Sequence, residues 1–413
     1  MRAIIPHRET TFRSIISCWQ IEVQFYNMTL RKLFFEILVG LVLSYLIIAI
    51  FFSGDRKFEN LALGTETATY NAVDKAGMPF HIQRTNKDEY DVLVKAWQQR
   101  GSKPVILFLG NSQTHSINQQ KSGEVNFIEL LNRKAEDTPY EILCISLPNA
   151  GLQEFYLIYE YWKNILPLKL VVLPVFMDDL REDGIRDVFF SKLVQEKFQL
   201  SDTSNALVSK INRELRSYWS SNDNTKANRD KSTFFMKETF QEKSEKYLNH
   251  KLDSSSTTWV NRANVRGEFF NWLYKLRNTL LGIKANTVRK MIPQRFEDNM
   301  HAVELLVKSR ATEQTKFILY IPPIRGDAKL PYDLDGYTEF KERVRKLSGF
   351  NSKYVFYRNY EGIIPPELWG YKAATNLQSE REVDYMHFQY KGHQILCDSV
   401  QVVLHQVIYK DGI

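Results

Sequence analysis

Five short stretches of the chain are continuously apolar rather than alternating: residues 104–110 (PVILFLG), 140–149 (YEILCISLPN), 168–176 (LKLVVLPVF), 316–324 (KFILYIPPI) and 353–357 (KYVFY). Short apolar runs bounded by turn residues are the pattern of strands buried on both faces. Between them lie segments with helical spacing. Phe127, Leu130 and Leu131 recur within EVNFIELLNRKA, and LQEFYLIYEYWKNI, AVELLVKSRA and YTEFKERVRKL read as helices too. The last helical segment, QYKGHQILCDSVQVVLHQVIYK, gathers Ile395, Leu396, Val400, Val403, Leu404 and Val407 on one stripe. Strands that alternate with helices predict an α/β domain, a parallel sheet layered between helices.

Two regions depart from this rhythm. Residues 33–53 are apolar with a single charge, Glu36. A helix needs about 20 such residues to cross a bilayer core, and no cleavage site follows, so the expectation is an uncleaved transmembrane anchor. Arg2, Arg8, Arg13, Arg31 and Lys32 precede it, against Arg56 and Lys57 after it. That bias puts the N-terminus in the cytoplasm and the bulk of the chain on the periplasmic or extracytoplasmic side. Met28 opens a compact basic start, and residues 1–27 read as an upstream extension. Residues 54–100 are mixed and suit a stalk with an entry helix. The other departure is 180–300, rich in charge, Ser and Asn, with aromatic helical stretches near Phe234–Tyr247 and Phe269–Leu281. It reads as a helical insertion, a lid or partner surface, within a domain spanning 101–413.

Composition narrows the function classes. The 413 residues carry a formal net charge of +7, spread along the chain. No dense basic run is interleaved with stacking aromatics, which argues against nucleic acid as a partner. The three cysteines, Cys18, Cys144 and Cys397, form no CxxC, so no zinc ribbon or thioredoxin-like site is expected. Cys144 and Cys397 read as buried free thiols. No metal and no cofactor are expected.

The candidate chemistry sits at two distant points. LFLGNSQTHSI (107–117) places Ser112 just past a buried strand, at the carboxyl end where open parallel sheets form their ligand crevice. VDYMHFQYKGHQIL (383–396) places Asp384 and His387 three residues apart, before the last helix. A serine hydroxyl needs a base to act as a nucleophile, and a carboxylate that holds one imidazole tautomer supplies an oriented one. A helix cap at Ser112, and an Asp cap beside a surface His, would explain each signal singly. His115 and Ser116 read as helix-start residues, His393 as a packing residue, and Tyr156, Tyr159, Tyr161 and Trp162 as sheet-packing aromatics. Arg325, after the fourth strand, is a candidate contact for an anionic substrate.

These motifs resemble the SGNH (GDSL-like) hydrolases, over about residues 104–178 and 300–409. GNSQ is similar to the first family block, with Asn111 where Asp is usual, and DYMHFQYKGH to the final DxxH block, with Gly392 and His393 downstream. LPNAGLQEF resembles the second block, which makes Gly151 an oxyanion-hole N–H donor alongside Ser112. VFMDDL stands where the third block has GxND, with Phe176 for Gly and Asp178 for the oxyanion-hole Asn. A carboxylate there repels an oxyanion unless protonated. The resemblance implies a flavodoxin-like α/β fold with Ser112, His387 and Asp384 as catalytic triad. Fused to a membrane anchor, it is similar to the SGNH-like acyltransferases of cell-envelope polysaccharides, including alginate-acetylation proteins. That implies an O-acyltransferase, with a polysaccharide acceptor and a membrane-bound O-acyltransferase as partner. An SGNH esterase, or a catalytically silent scaffold, are the alternatives.

Overall fold

The computed structural model describes residues 32, 34–43, 67–83, 87–186, 190–219, 247, 251, 262–284, 286–309, 314–378 and 381–409. The chain divides into two compact units, 1–58 with 238–272, and 59–237 with 273–413. In the first, residues 34–43 are helical with exposed side chains. Most of the expected anchor, and the aromatic stretch 234–246, lie outside the described residues. Among the described residues no helix is long and apolar enough to cross a membrane.

The second unit carries the sheet. Its strands are β1 (Thr67–Thr69), β2 (His81–Ile82), β3 (Val105–Gly110), β4 (Ser116–Asn118), β5 (Glu141–Ser146), β6 (Leu168–Pro174), β7 (Lys316–Ile321), β8 (Val355–Asn359), β9 (Trp369–Ala373) and β10 (Arg381–Phe388). Six of them form one sheet in the order β2-β5-β3-β6-β7-β8, and every pairing in it is parallel. The five expected strands are β3, β5, β6, β7 and β8. All six residues of β3 and of β5 are buried, which is why these runs are apolar without alternation. At about 25 cal/mol per Å² of apolar surface, each buried Leu or Ile contributes roughly 1.5–3 kcal/mol.

Helices surround this sheet. Phe127–Ala135 packs with Tyr390–Leu404, and Leu152–Trp162 with Pro293–Lys308. On the last helix Leu396, Val400, Val403 and Leu404 are buried as the stripe predicts, and Val407 just beyond it is buried too. Tyr156, Tyr159, Tyr161 and Trp162 are all buried packing groups. Cys144 and Cys397 are free and buried; burial pushes the Cys397 thiol up to about 12.

Three features depart from expectation. Residues 67–100, read as stalk and entry helix, supply β1 and β2 in addition to the helix Lys87–Gln99. Of the region read as an insertion, the helix at 206–219 buries Leu207, Val208, Ile211 and Leu215, so this part belongs to the core. Asp384 and His387 lie on a strand, β10, which pairs antiparallel with β9 in a separate two-stranded sheet.

Candidate active site

The strand order reverses at β3: β5 lies on one side of it and β6 on the other. In open parallel sheets this switch point opens a crevice at the carboxyl ends of the strands. Ser112 follows β3 directly there. Gly110 makes the turn possible, because a Cβ on it would lie 2.3 Å from the Thr114 hydroxyl oxygen. Asn111 is extended and caps the four-residue helix Ser112–His115, accepting from the Gln113 N–H at 3.1 Å. At the first helical position the Ser112 N–H has no partner within the helix.

Ser112, His387 and Asp384 are bonded in series. Ser112 Oγ lies 3.0 Å from His387 Nε2, and His387 Nδ1 lies 2.9 Å from Asp384 Oδ2. Asp384 is buried, which alone would raise its pKa. The His387 imidazole and the backbone N–H groups of Met386 and His387 outweigh that and hold the carboxyl below its usual range. Those N–H groups donate to Oδ1 at 2.9 and 3.0 Å. An ionised Asp384 fixes the Nδ1–H tautomer, which leaves Nε2 to accept the Ser112 proton.

Other buried polar groups hold this arrangement, and of these the sequence does not single out Asn118, Gln113, Ser146 or His81. Asn118, on β4, donates from Nδ2 to the Tyr371 carbonyl at 2.9 Å and to Asp384 Oδ2 at 3.4 Å. Its amide occupies the space where Gly370 would carry a Cβ. Gln113 donates from Nε2 to the carbonyls of Pro323 and Met386. His115, read as a helix-start residue, is buried with its Nδ1 2.6 Å from Ser146 Oγ. His81 Nε2 meets the same hydroxyl at 2.6 Å, and its Nδ1 accepts from the Ala72 N–H. The backbone donor sets the direction: His81 carries its proton on Nε2, Ser146 accepts it and donates to His115. Burial lowers the pKa of His81 to about 3 and that of His115 well below the usual value, the latter with help from His81 and His387. Both rings are neutral at pH 7. His393 is buried and accepts from the Phe127 N–H at 3.0 Å.

The residues expected to form the oxyanion hole are differently placed. Gly151 caps the helix Leu152–Trp162, and its N–H donates to Glu154 Oε2 at 3.0 Å. Arg186 holds the other side of that carboxylate, with Nε 2.9 Å from Oε1. The Gly151 N–H is therefore an internal cap rather than an open donor. Asp178 is ion-paired, Oδ1 lying 3.2 Å from Arg181 and 3.5 Å from Arg289. Its Oδ2 accepts from the Tyr332 hydroxyl at 2.9 Å. In this arrangement both carboxylate oxygens of Asp178 are engaged by these partners. Its neighbour Asp179 is the buried carboxyl, 3.3 Å from Asn111 Nδ2. Burial and the Asp178 charge push its pKa well above the usual range. Arg325, read as a substrate contact, instead pairs with Asp327 at 2.7 Å and meets the Gly370 carbonyl. Among the described residues no group of three or more His, Cys, Asp or Glu is arranged to hold a metal ion.

No family model matches the chain, and no curated protein matches it. Among solved structures it is similar to one from Bacteroides fragilis NCTC 9343, provisionally described as an acylhydrolase. The identity is 11% and the TM-score 0.35, over 78% of this chain and 96% of that chain. What stands at the switch point of this α/β fold, on its own geometry, is a serine hydroxyl, an imidazole and a buried carboxylate in hydrogen-bonded sequence.

Proposed function

We propose that the chain is a serine-dependent acyl-transfer enzyme of SGNH type, with Ser112 as nucleophile. The single observation that carries this reading is the bonded series Ser112–His387–Asp384 at the sheet's switch point. His387 Nε2 takes the Ser112 proton as Oγ attacks an acyl carbonyl. The Ser112 N–H, at the start of its helix, would donate to the resulting oxyanion. Collapse of that intermediate returns the proton through His387 to the leaving oxygen and leaves an acyl-serine. An acceptor hydroxyl then attacks, with His387 again as base.

In its specific form the proposal is a membrane-anchored O-acyltransferase, transferring an acetyl group to a cell-envelope or extracellular polysaccharide. The support is the apolar run 33–53 and the motif resemblance of GNSQ and DYMHFQYKGH. The anchor would set the domain outside the cytoplasmic membrane face, where a membrane-bound O-acyltransferase would deliver the acyl group. With water as acceptor, the same site is an esterase. A second reading, a silent SGNH-like scaffold, is favoured by the engagement of Gly151 and Asp178 in internal contacts. Polymer acetyl content in a strain carrying Ser112→Ala tests the transferase: loss of the ester supports it, and unchanged content sinks it. Turnover of p-nitrophenyl acetate by the purified protein, unaffected by added polysaccharide, would point to the esterase.

A further inference from the structure

The side chain next to the nucleophile has no role in the proton transfers above, yet it is placed where three elements meet. Gln113 is 2% exposed. Its amide nitrogen donates to the Pro323 carbonyl, in the loop after β7, at 2.9 Å, and to the Met386 carbonyl, on β10, at 2.6 Å. A primary amide has two N–H groups, and each has an acceptor here. The partners are 210 and 273 residues away in sequence. Met386 stands between the two triad residues Asp384 and His387, directly before the imidazole. The same loop is tied to β10 once more, by the Arg325 N–H donating to the Tyr385 carbonyl at 3.3 Å.

β10 belongs to a two-stranded sheet, separate from the one that carries Ser112. Among the described residues no ladder hydrogen bond therefore joins the base's strand to the sheet that precedes the nucleophile. The 3.0 Å contact between Ser112 and His387 depends on what couples the two sheets. We infer that Gln113 is a positioning residue of the site, its amide fastening the nucleophile's helix to the strand that carries the base.

This inference rests on the serine-nucleophile reading above. A displacement of about 1 Å in such a pair typically costs about 100-fold in rate. Gln113→Leu keeps the size but removes both donors, and leaves two buried carbonyls unpaired. Gln113→Glu is the more telling variant. A protonated carboxyl still donates to one carbonyl, whereas an ionised one donates to neither and repels both. Burial and the two carbonyls raise that carboxyl's pKa above the ordinary range. The titratable and charged groups on the joined elements are His115 on its own helix, Arg381, Glu382, Asp384, Tyr385 and His387 on β10, and Arg325 and Asp327 beyond Pro323. The wild type has no carboxyl at 113, so a rate that falls with rising pH belongs to the variant alone.

The measurement is the rate of labelling by a fluorophosphonate probe from pH 5 to 9, with near-ultraviolet circular dichroism to establish that each sample is folded. The wild type is expected to label at Ser112. Gln113→Leu is expected to label about 100-fold more slowly. Gln113→Glu is expected to label within tenfold of the wild type at pH 5 and to lose at least tenfold more as pH rises, while still folded. Should Gln113→Leu fail to fold, the Glu variant alone decides. Labelling of Gln113→Glu parallel to the wild type at every pH, or of a folded Gln113→Leu within threefold of it, overturns the inference. No labelling of the wild type overturns the nucleophile reading instead.

Discussion

On the β3–β10 side of the crevice, Ser112, His387 and Asp384 are bonded in series at 3.0 and 2.9 Å. On the β5–β6 side, the two further residues that family resemblance assigns to the oxyanion hole have other partners: Gly151 with Glu154, and Asp178 with Arg181, Arg289 and Tyr332. Ser112, Gly151 and Asp178 all follow strands of the parallel sheet, whereas Asp384 and His387 come from β10 of the separate antiparallel pair. The two sides also differ in what surrounds the polar groups. Asp384 is 1% exposed, with three donors of its own chain around it and Asn118 beside it. The β5–β6 side instead builds ion pairs, Glu154 with Arg186 and Asp178 with Arg181. Under the proposed mechanism, proton transfer is the organised part of this site, and charge stabilisation would fall chiefly on the Ser112 N–H. Losing one oxyanion donor typically costs about 100- to 1000-fold, so a slow enzyme with an intact relay is the expectation.

Substitutions on the two sides should separate them. The largest effect is expected for His387→Ala, which removes the base, and for Asp384→Asn, which permits the wrong tautomer. Each should lower the rate of fluorophosphonate labelling by about 10⁴-fold; a loss under tenfold would break the comparison on its stronger side. Next, Asp384→Asn should change the acid dependence of stability. Its folded-state pKa lies below the unfolded value. The stabilisation from its charge is therefore present above an unfolded pKa of about 3.9, and is lost as pH falls through the folded value. Thermal midpoints of wild type and variant should converge on acidification. A gap that stays constant from pH 7 to pH 3 would contradict that sign.

On the other side, Asp178→Asn restores the amide usual in the third block. Because Asp178 faces Arg181, Arg289 and Tyr332, labelling should change by less than about tenfold. A 100-fold gain would return position 178 to the oxyanion hole. The smallest effect on rate is expected for Ser146→Ala, which unlinks His81 from His115. It leaves buried ring nitrogens unpaired, at a cost of about 2 kcal/mol, visible in a denaturant midpoint with the labelling rate nearly unchanged.

The sheet was legible because β3, β5 and β6 are buried over nearly their whole length, so burial writes an unbroken apolar run. The series of Ser112, Asp384 and His387 was legible because a short motif carries each end of it. For Gly151 and Asp178, spacing does not show that Glu154 folds back over its own helix start, or that Arg289 reaches Asp178 from 111 residues away. Gln113 and Asn118 were invisible for a related reason. Each is a common polar residue whose role is set by carbonyls and a carboxylate more than 200 residues distant. The β9–β10 pair was missed because its burial pattern is mixed, with Arg381 and Val383 exposed on β10. The helix at 206–219 hid in a charged stretch, although its apolar face completes the core.

Mass spectrometry of the intact wild-type protein after reaction with a fluorophosphonate tests the central claim most directly. The account predicts one adduct per chain, located on the peptide that contains Ser112 and absent from Ser112→Ala. An unmodified wild type, or an adduct that persists when residue 112 is alanine, would contradict it.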